Sequence, residues 1–312
     1  MENTPAYKVI LSDKAAGRLS HAYLVTCQDG DMHEDYLKIL AKLMACDKED
    51  FCDTCRVCRL IDQKAHSDVT FYPKEGKLKT DAADDLVRQS VIKPFELNKR
   101  IFVVKKIEEL NQYQNKLLKT VEEPPKNVHL LISTEKPVAV LPTIKSRSKT
   151  IEIPDFSEAA LKEAALRAGY SGDRLLLSLK LCGGKFGKLI RYYQNDDLLN
   201  IKAVATDVIL NMTGRTLPEY AGKLKNVSIA DYISVTKLLL SKIMEFLAGK
   251  PVEKLYEDLY PATQKWRYGS IIGAIERLNA FEKSLNFNVN NAMTIDGVLF
   301  ALMEEKTRWQ KL

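Results

Sequence analysis

The chain has no run of about 18 apolar residues, so its sequence offers no helix fit to span a bilayer. Its opening, MENTPAYKVI, lacks a basic segment followed by an apolar one. That argues against a secretory signal and for a cytosolic, reducing compartment in which cysteines stay unpaired. Excess charge of one sign is scarce too. The 47 Lys and Arg are opposed by 41 Asp and Glu, and the remaining +6 is compatible with nucleic acid nearby without amounting to a dedicated basic groove. Strands are missing from about Pro154 onward. Glycine is missing where a phosphate-binding loop would need it.

What is present describes a soluble globular protein: 46% hydrophobic and 28% charged residues, with 312 residues favouring two or three domains over one core. In the first half, apolar runs AYLV, DVTFYP, RIFVVK, VHLLIS and KTIEIP alternate with helical patterns through EDYLKILAKLMAC, DDLVRQSV and NQYQNKLLKTVEE. Strands separated by helices of this length imply crossovers and a parallel α/β sheet. The second half holds amphipathic helices only. SEAALKEAALRAG is followed by LLLSLKLCGGKFGKLIRYY, broken at Gly183 and Gly184. Ser228 and Asp231 then form a capping-box pattern before a stripe of Ile229, Ile233, Leu239, Ile243 and Leu247, stopped by GKP. A second long helix carries Ile271, Ile275, Leu278 and Leu285.

The segment HAYLVTCQDGDMHEDYL has the strand, loop and helix order of a phosphate cradle. Its chemistry is wrong for one. A cradle needs glycines for converging N–H groups, a Lys to neutralise phosphate and a Ser or Thr for magnesium. Here a single glycine, Gly30, stands among Asp29, Asp31, Glu34 and Asp35, and added carboxylates repel a polyanion.

Four of the six cysteines, Cys46, Cys52, Cys55 and Cys58, fall together, while Cys27 and Cys182 are isolated and fit small core positions. Two consecutive C-x-x-C steps in a reducing compartment point to a metal, and four thiolates around zinc make a closed, structural site. His66 is the alternative fourth ligand to Cys46. An iron–sulfur cluster is the competing reading, but that run would continue C-x3-C-P, which CRLIDQ does not supply.

The stretch NQYQNKLLKTVEEPPKNVHLLISTEKPVAVLPTIKSRS resembles the clamp-loader subfamily of AAA+ proteins, which carry LLK-x-LEEPP, a strand and LLPTI-x-SR in that order. The resemblance extends to GRLSHAYLV, the cysteine cluster, HSDVTFYPKEGKLK, CGGKFGKLI and NFNVNNA, and so covers nearly the whole chain. It implies an AAA+-like α/β domain with a zinc knuckle over residues 1–154. A small helical lid at 155–196 and a helical collar at 197–312 would follow, with Asn288 and Asn290 turning the collar into its last helix. It also implies a place in a heteropentamer of gamma/tau-type ATPase subunits and a delta subunit, which loads a sliding clamp on primer–template DNA during replication.

Against the family's Gly-x-x-Gly-x-Gly-Lys-Thr loop this chain has Cys27, Gly30, Met32, His33 and Glu34. Where the family's metal-binding Asp-Glu would follow RIFVV, it has Lys105 and Lys106. Both departures reverse the sign of charge, which implies a subunit that uses no ATP of its own. Arg147 in KSRSKT falls on the family's Ser-Arg-Cys motif, whose Arg reaches a neighbour's nucleotide as an arginine finger, although Ser148 replaces the Cys. The plainer reading of Arg147 is a surface cation at a strand edge. Leu117, Leu118 and Val121 form an apolar face ended by Pro124 and Pro125, and Glu122 and Glu123 are candidates to position the finger loop. An active ATPase subunit is the enzyme alternative, opposed by CQDGDMHED and VVKK.

Overall fold

The computed structural model describes residues 1–285 and 290–308. The chain forms two compact units, one of Met1–Phe156 with Lys185–Gly187, the other of Ser157–Gly184 with the residues from Lys188 onward.

The first unit is built on five strands, β1 Ala22–Cys27, β2 Val69–Tyr72, β3 Arg100–Val104, β4 Val128–Thr134 and β5 Lys149–Ile153, all parallel and ordered β2-β3-β4-β1-β5. Side chains alternate between the two faces of a strand. Tyr23, Val25, Ile101, Val103 and Leu131 accordingly join one apolar cluster with Tyr7, Ile10, Leu37, Leu40 and Met44. Those residues come from α1 Pro5–Ala15 and α2 His33–Ala45. Leu24, Phe102, Val104, Leu130 and Ile132 join the opposite cluster with Leu86, Val121 and Ile144, from α4 Thr80–Ser90, α5 Leu118–Glu122 and α6 Pro142–Arg147. A short α3, Arg56–Asp62, precedes β2. Covering both faces is what parallel strands with continuous Val, Ile and Leu runs require.

The carboxyl ends of the adjacent strands β3, β4 and β1 lie side by side, which is where α/β sheets place their ligand crevice. Pairings Val104 with Ile132 and Thr134 with Thr26 fix the register, so the segments after Cys27, Val104 and Thr134 emerge together.

One expected helix is different. Over NQYQNKLLKTVEE only Leu118–Glu122 is α-helical, and Ile107–Leu117 is a 3-10 segment kinked at Asn111, with φ 49° and ψ −124°. The buried Gln114 explains the departure. Its amide donates to the Ala139 carbonyl at 2.9 Å and accepts from the Leu141 N–H at 3.0 Å, so this segment is shaped by a tertiary partner and not by its own period.

The second unit is helical throughout its described residues: α7 Glu158–Arg167, α8 Gly172–Leu181, α9 Phe186–Gln194, α10 Leu198–Asn211, α11 Leu217–Leu224, α12 Ile229–Leu247, a 3-10 segment Lys254–Gln264, α13 Tyr268–Ser284 and α14 Asn291–Arg308. The first residues of α9 belong to the other unit. Gly183 and Gly184, at φ 57° and 81°, separate α8 from α9 as expected, since few other residues adopt that region. Ser228 caps α12 by accepting from the Asp231 N–H at 3.4 Å. Ile229, Ile233, Leu239 and Ile243 are buried with Tyr232, Tyr256 and Trp266. Asn290 Oδ1 accepts from the N–H groups of Ala292 and Met293 at the start of α14, while Asn288 lies outside the described residues. Leu177 and Tyr192 share one apolar cluster with Leu198 and Ile201, so the division expected near residue 197 is not a gap in the core and stays a proposal about roles. Among the described residues no helix is long and apolar enough to cross a membrane.

Candidate functional site

The loop between β1 and α2 has the expected strand–loop–helix form, with Met32 at the N-cap of α2 and no side-chain cap. Other parts of the same unit pack closely against it. Asp29 is buried and its Oδ2 accepts from Tyr36 Oη at 3.1 Å and from the Gly187 N–H at 2.9 Å. A Cβ on Gly187 would stand 2.6 Å from Asp31 Cβ and 2.7 Å from Asp29 Oδ1, so the segment 185–187 packs against the loop as only glycine allows. Gly30 is equally close on its other side, where a Cβ would lie 2.6 Å from Glu135 Oε1.

The reversed charges find one another. Glu34, in the first turn of α2, pairs with Lys105 at 3.4 Å and with Lys64 at 2.5 Å. Lys106 pairs with Glu135 at 2.8 Å, and His33 Nδ1 lies 3.5 Å from the same carboxylate. Desolvation alone would raise the Glu34 and Glu135 carboxyls; Lys64 and Lys105 hold the first below its ordinary value, and Lys106 with His33 the second. Burial lowers the pKa of His33, whose side chain is fully enclosed and whose Nε2 has no partner among the described residues. Cys27 closes the end of β1 as a buried thiol.

Arg147 is the last residue of α6, not a strand-edge residue. Its Nε lies 3.2 Å from Glu122 Oε1, the last residue of α5, and its Nη1 donates to the Thr143 carbonyl and Ser146 Oγ, both at 3.3 Å. Its side chain is 42% exposed. Of the two candidates at the end of α5, Glu122 makes this contact, and Glu123 has no ion pair among the described residues.

The sulfurs of Cys46, Cys52, Cys55 and Cys58 all lie within 4.8 Å of one another. Cys46 is the C-cap of α2 and Cys55 the N-cap of α3, so the cluster closes the excursion between these helices. Cys46 and Cys52 are 3.9 Å apart at sulfur. A tetrahedron with zinc–sulfur bonds of about 2.3 Å has edges of roughly 3.8 Å, so the residues fit that ion. The N–H groups of Cys55 and Cys58 each point to the sulfur three residues earlier, at 3.4 Å. Backbone donors from Thr54 and Cys55 lower the Cys52 thiol to about 6, whereas burial pushes Cys58 up to about 12. His66 is engaged elsewhere, its Nδ1 accepting from the Asp68 N–H at 3.0 Å. Cys27 and Cys182 are buried in the cores, as their isolation suggested.

Glu135 and Lys64 were not singled out in the sequence, although Glu135 directly follows β4, where a parallel sheet presents ligand-facing residues. Gly187 lies in the stretch CGGKFGKLI that shares the family resemblance, but its approach to Asp29, across 158 positions of chain, was not indicated.

This sheet order, followed among the described residues by helices alone, is that of a AAA+-like protein. In fold it is similar to a DNA polymerase III gamma subunit-related protein of Thermotoga maritima, with a TM-score of 0.52 and 17% identity over 97% of this chain and 99% of that one. The family described as "DNA polymerase III, delta subunit" matches residues 2–157, half of the chain, and the chain belongs to it. Its relatives include the DNA polymerase III subunit delta′ of Bacillus subtilis, 22% identical over 322 residues and 95% of each chain. The delta′ subunit of Escherichia coli is 27% identical over 202 residues, 62% of this chain and 60% of that one.

The buried histidines and the ion pairs at the strand ends are expected to make the first unit acid-sensitive. His33 holds its proton less tightly when folded, so its contribution is complete above its ordinary value of 6.5 and is lost as pH falls and the unfolded chain takes up protons. His66 and His129 are lowered by burial in the same sense. Glu34 and Glu135 follow below their ordinary 4.5. The urea midpoint, read by amide exchange in β1, β3 and β4, is expected to decline from pH 6.5 to 5. His33→Asn should flatten part of that decline, and an unchanged slope would remove His33 from the account.

Proposed function

We propose that this chain is a non-hydrolysing, delta′-type subunit of the DNA polymerase III clamp loader. The observation that carries the reading is the pairing of Glu34 with Lys105 and of Lys106 with Glu135 at the ends of three adjacent strands. An ATPase of this fold needs a Lys and a hydroxyl on the loop and carboxylates on the strand for phosphate and magnesium. Here a carboxylate stands on the loop and lysines follow the strand. The close approach of Gly187 to Asp29 supports the same reading, because it sets protein backbone directly against the loop. An active gamma/tau-like ATPase subunit is the alternative.

In this reading the subunit joins gamma/tau ATPase subunits and a delta subunit in a cytoplasmic, replisome-associated heteropentamer. It meets the sliding clamp and primer–template DNA as part of that complex. The helices from 197 onward form its collar contacts and those of 155–196 its lid. Arg147 serves the neighbouring ATPase subunit as an arginine finger; its exposure and its place at a helix end, with Nη2 unbonded among the described residues, support that role. Cys46, Cys52, Cys55 and Cys58 hold a structural Zn²⁺ that supplies local folding energy and leaves no position for substrate.

Elemental analysis should find one zinc per chain, lost in Cys55→Ser, with the amide-exchange protection of β1 and β4 retained; undiminished zinc in that variant would exclude the site. Titration with a fluorescent ATP analogue should give the isolated chain an affinity no tighter than millimolar, and His33→Lys should not restore binding because Lys105 and Lys106 remain. Micromolar binding would return the ATPase alternative. In the reconstituted complex, Arg147→Ala should assemble normally but lower clamp- and DNA-stimulated ATP turnover, and Arg147→Lys should recover little of it, since an ammonium lacks the planar fork. A finger can be worth about 10³ to 10⁵ at its own site. With several ATP sites in the ring, the loss for the whole complex is smaller. Wild-type turnover and loading by Arg147→Ala would leave the subunit a scaffold only.

A further inference from the structure

We infer that Glu122 is a positioning residue for the Arg147 guanidinium, presenting its free edge to an anionic phosphate on a neighbouring subunit. The inference rests on the finger reading of Arg147 and adds the device that aims it.

The two residues are fixed independently of each other. Thr120 and Val121 are buried in the sheet-facing core, and the helix that carries them ends at Glu122 because Pro124 and Pro125 cannot continue it. That places the Glu122 carboxylate at the rim of a rigid element. On the other side, Pro142 opens α6 and Ile144, fully buried, pins it to the same core three residues before Arg147. Gln114 ties down the approach to α6 through Leu141 and Ala139. Each end of the ion pair therefore stands on a short helix whose neighbouring residues are locked by packing.

The contact geometry sorts the five N–H groups of the guanidinium. Nε faces Glu122 Oε1 at 3.2 Å, and Nη1 faces the Thr143 carbonyl and Ser146 Oγ at 3.3 Å each. Among the described residues Nη2 makes no hydrogen bond. An ion pair at Nε and hydrogen bonds from Nη1 restrict the plane of the cation, and its remaining N–H groups can meet phosphate oxygens with a smaller search of rotamers. Because a misplacement of about 1 Å can cost about 10²-fold in rate, fixing that plane matters to a finger. The pair is about two-fifths exposed at both ends, so it adds little to folding and its removal leaves the chain intact. Glu123, which shares the charge and the neighbourhood but makes no ion pair among the described residues, is the internal control.

The test is a double-mutant cycle in the reconstituted complex with its ATPase and delta subunits, reading kcat and KM for clamp- and DNA-stimulated ATP hydrolysis. Glu122→Ala should lower kcat about three- to tenfold at the dependent site with KM nearly unchanged. Glu122→Gln, which keeps the acceptor at Oε1, should recover most of the loss, and Glu123→Ala should have no effect. In an Arg147→Ala background, Glu122→Ala should change nothing more. If Glu122→Ala turns over like wild type while Arg147→Ala is slowed, the finger reading survives and the positioning role is wrong. If Arg147→Ala is not slowed, the finger reading itself fails. A loss from Glu122→Ala that persists without Arg147, or a gain in rate, overturns the inference, because the carboxylate would then act independently or restrain the cation. Gel filtration of each complex separates these outcomes from loss of assembly.

Discussion

The mutual neutralisation of Glu34 with Lys105 and of Lys106 with Glu135 is the constraint around which the first unit is arranged. In a parallel sheet the carboxyl ends of the central strands meet the N-terminus of the helix after β1, and charge of some kind must be satisfied there. A ligand can do so; here the side chains do it among themselves. Each pair is partly exposed and worth at most about 1 kcal/mol as a bond. Its importance is that neither sign is left alone in a half-enclosed crevice, where an unpaired charge is costly. Beside these pairs lie the fully enclosed His33 and the Asp29 carboxylate, whose Oδ2 is held by Tyr36 and the Gly187 N–H while Asp29 Oδ1 and His33 Nε2 have no hydrogen-bond partner among the described residues.

Around this centre the sheet holds two other groups at defined places. One is the α5–α6 junction, where the end of one short helix meets the end of another and Arg147 meets Glu122. The other is the cysteine excursion between α2 and α3. Lys42 on α2 pairs with Asp53 in the excursion and with Asp62 on α3, Lys42 Nζ sits 5.0 Å from the Phe51 ring centre, and Tyr7 Oη donates to Asp50. The four sulfurs are thus gathered by a loop already tied to α1 and α2. A metal bound to such a loop would add its free energy locally.

The sequence by itself determined the architecture wherever a period ran uninterrupted. Continuous runs such as RIFVV and VHLLIS had to be doubly covered parallel strands, and the stripe from Ile229 to Ile243 with Ser228 before it had to be a capped, half-buried helix. Both follow from the pleat and the helical turn, which are properties of local chain. The cysteine quartet was carried by residue type and spacing, whereas the departures at His33, Glu34, Lys105 and Lys106 stood out only against the motifs of the family the chain resembles. Tertiary structure decided what distance along the chain conceals. The helix expected over NQYQNKLLKTVEE gave way to a kinked 3-10 segment because Gln114 answers to Ala139 and Leu141. Which carboxylate faces each lysine, which of Glu122 and Glu123 meets Arg147, and that Gly187 closes on Asp29 depend on strand order and helix ends. Long-range pairing is set by packing many residues away, and no local period encodes it.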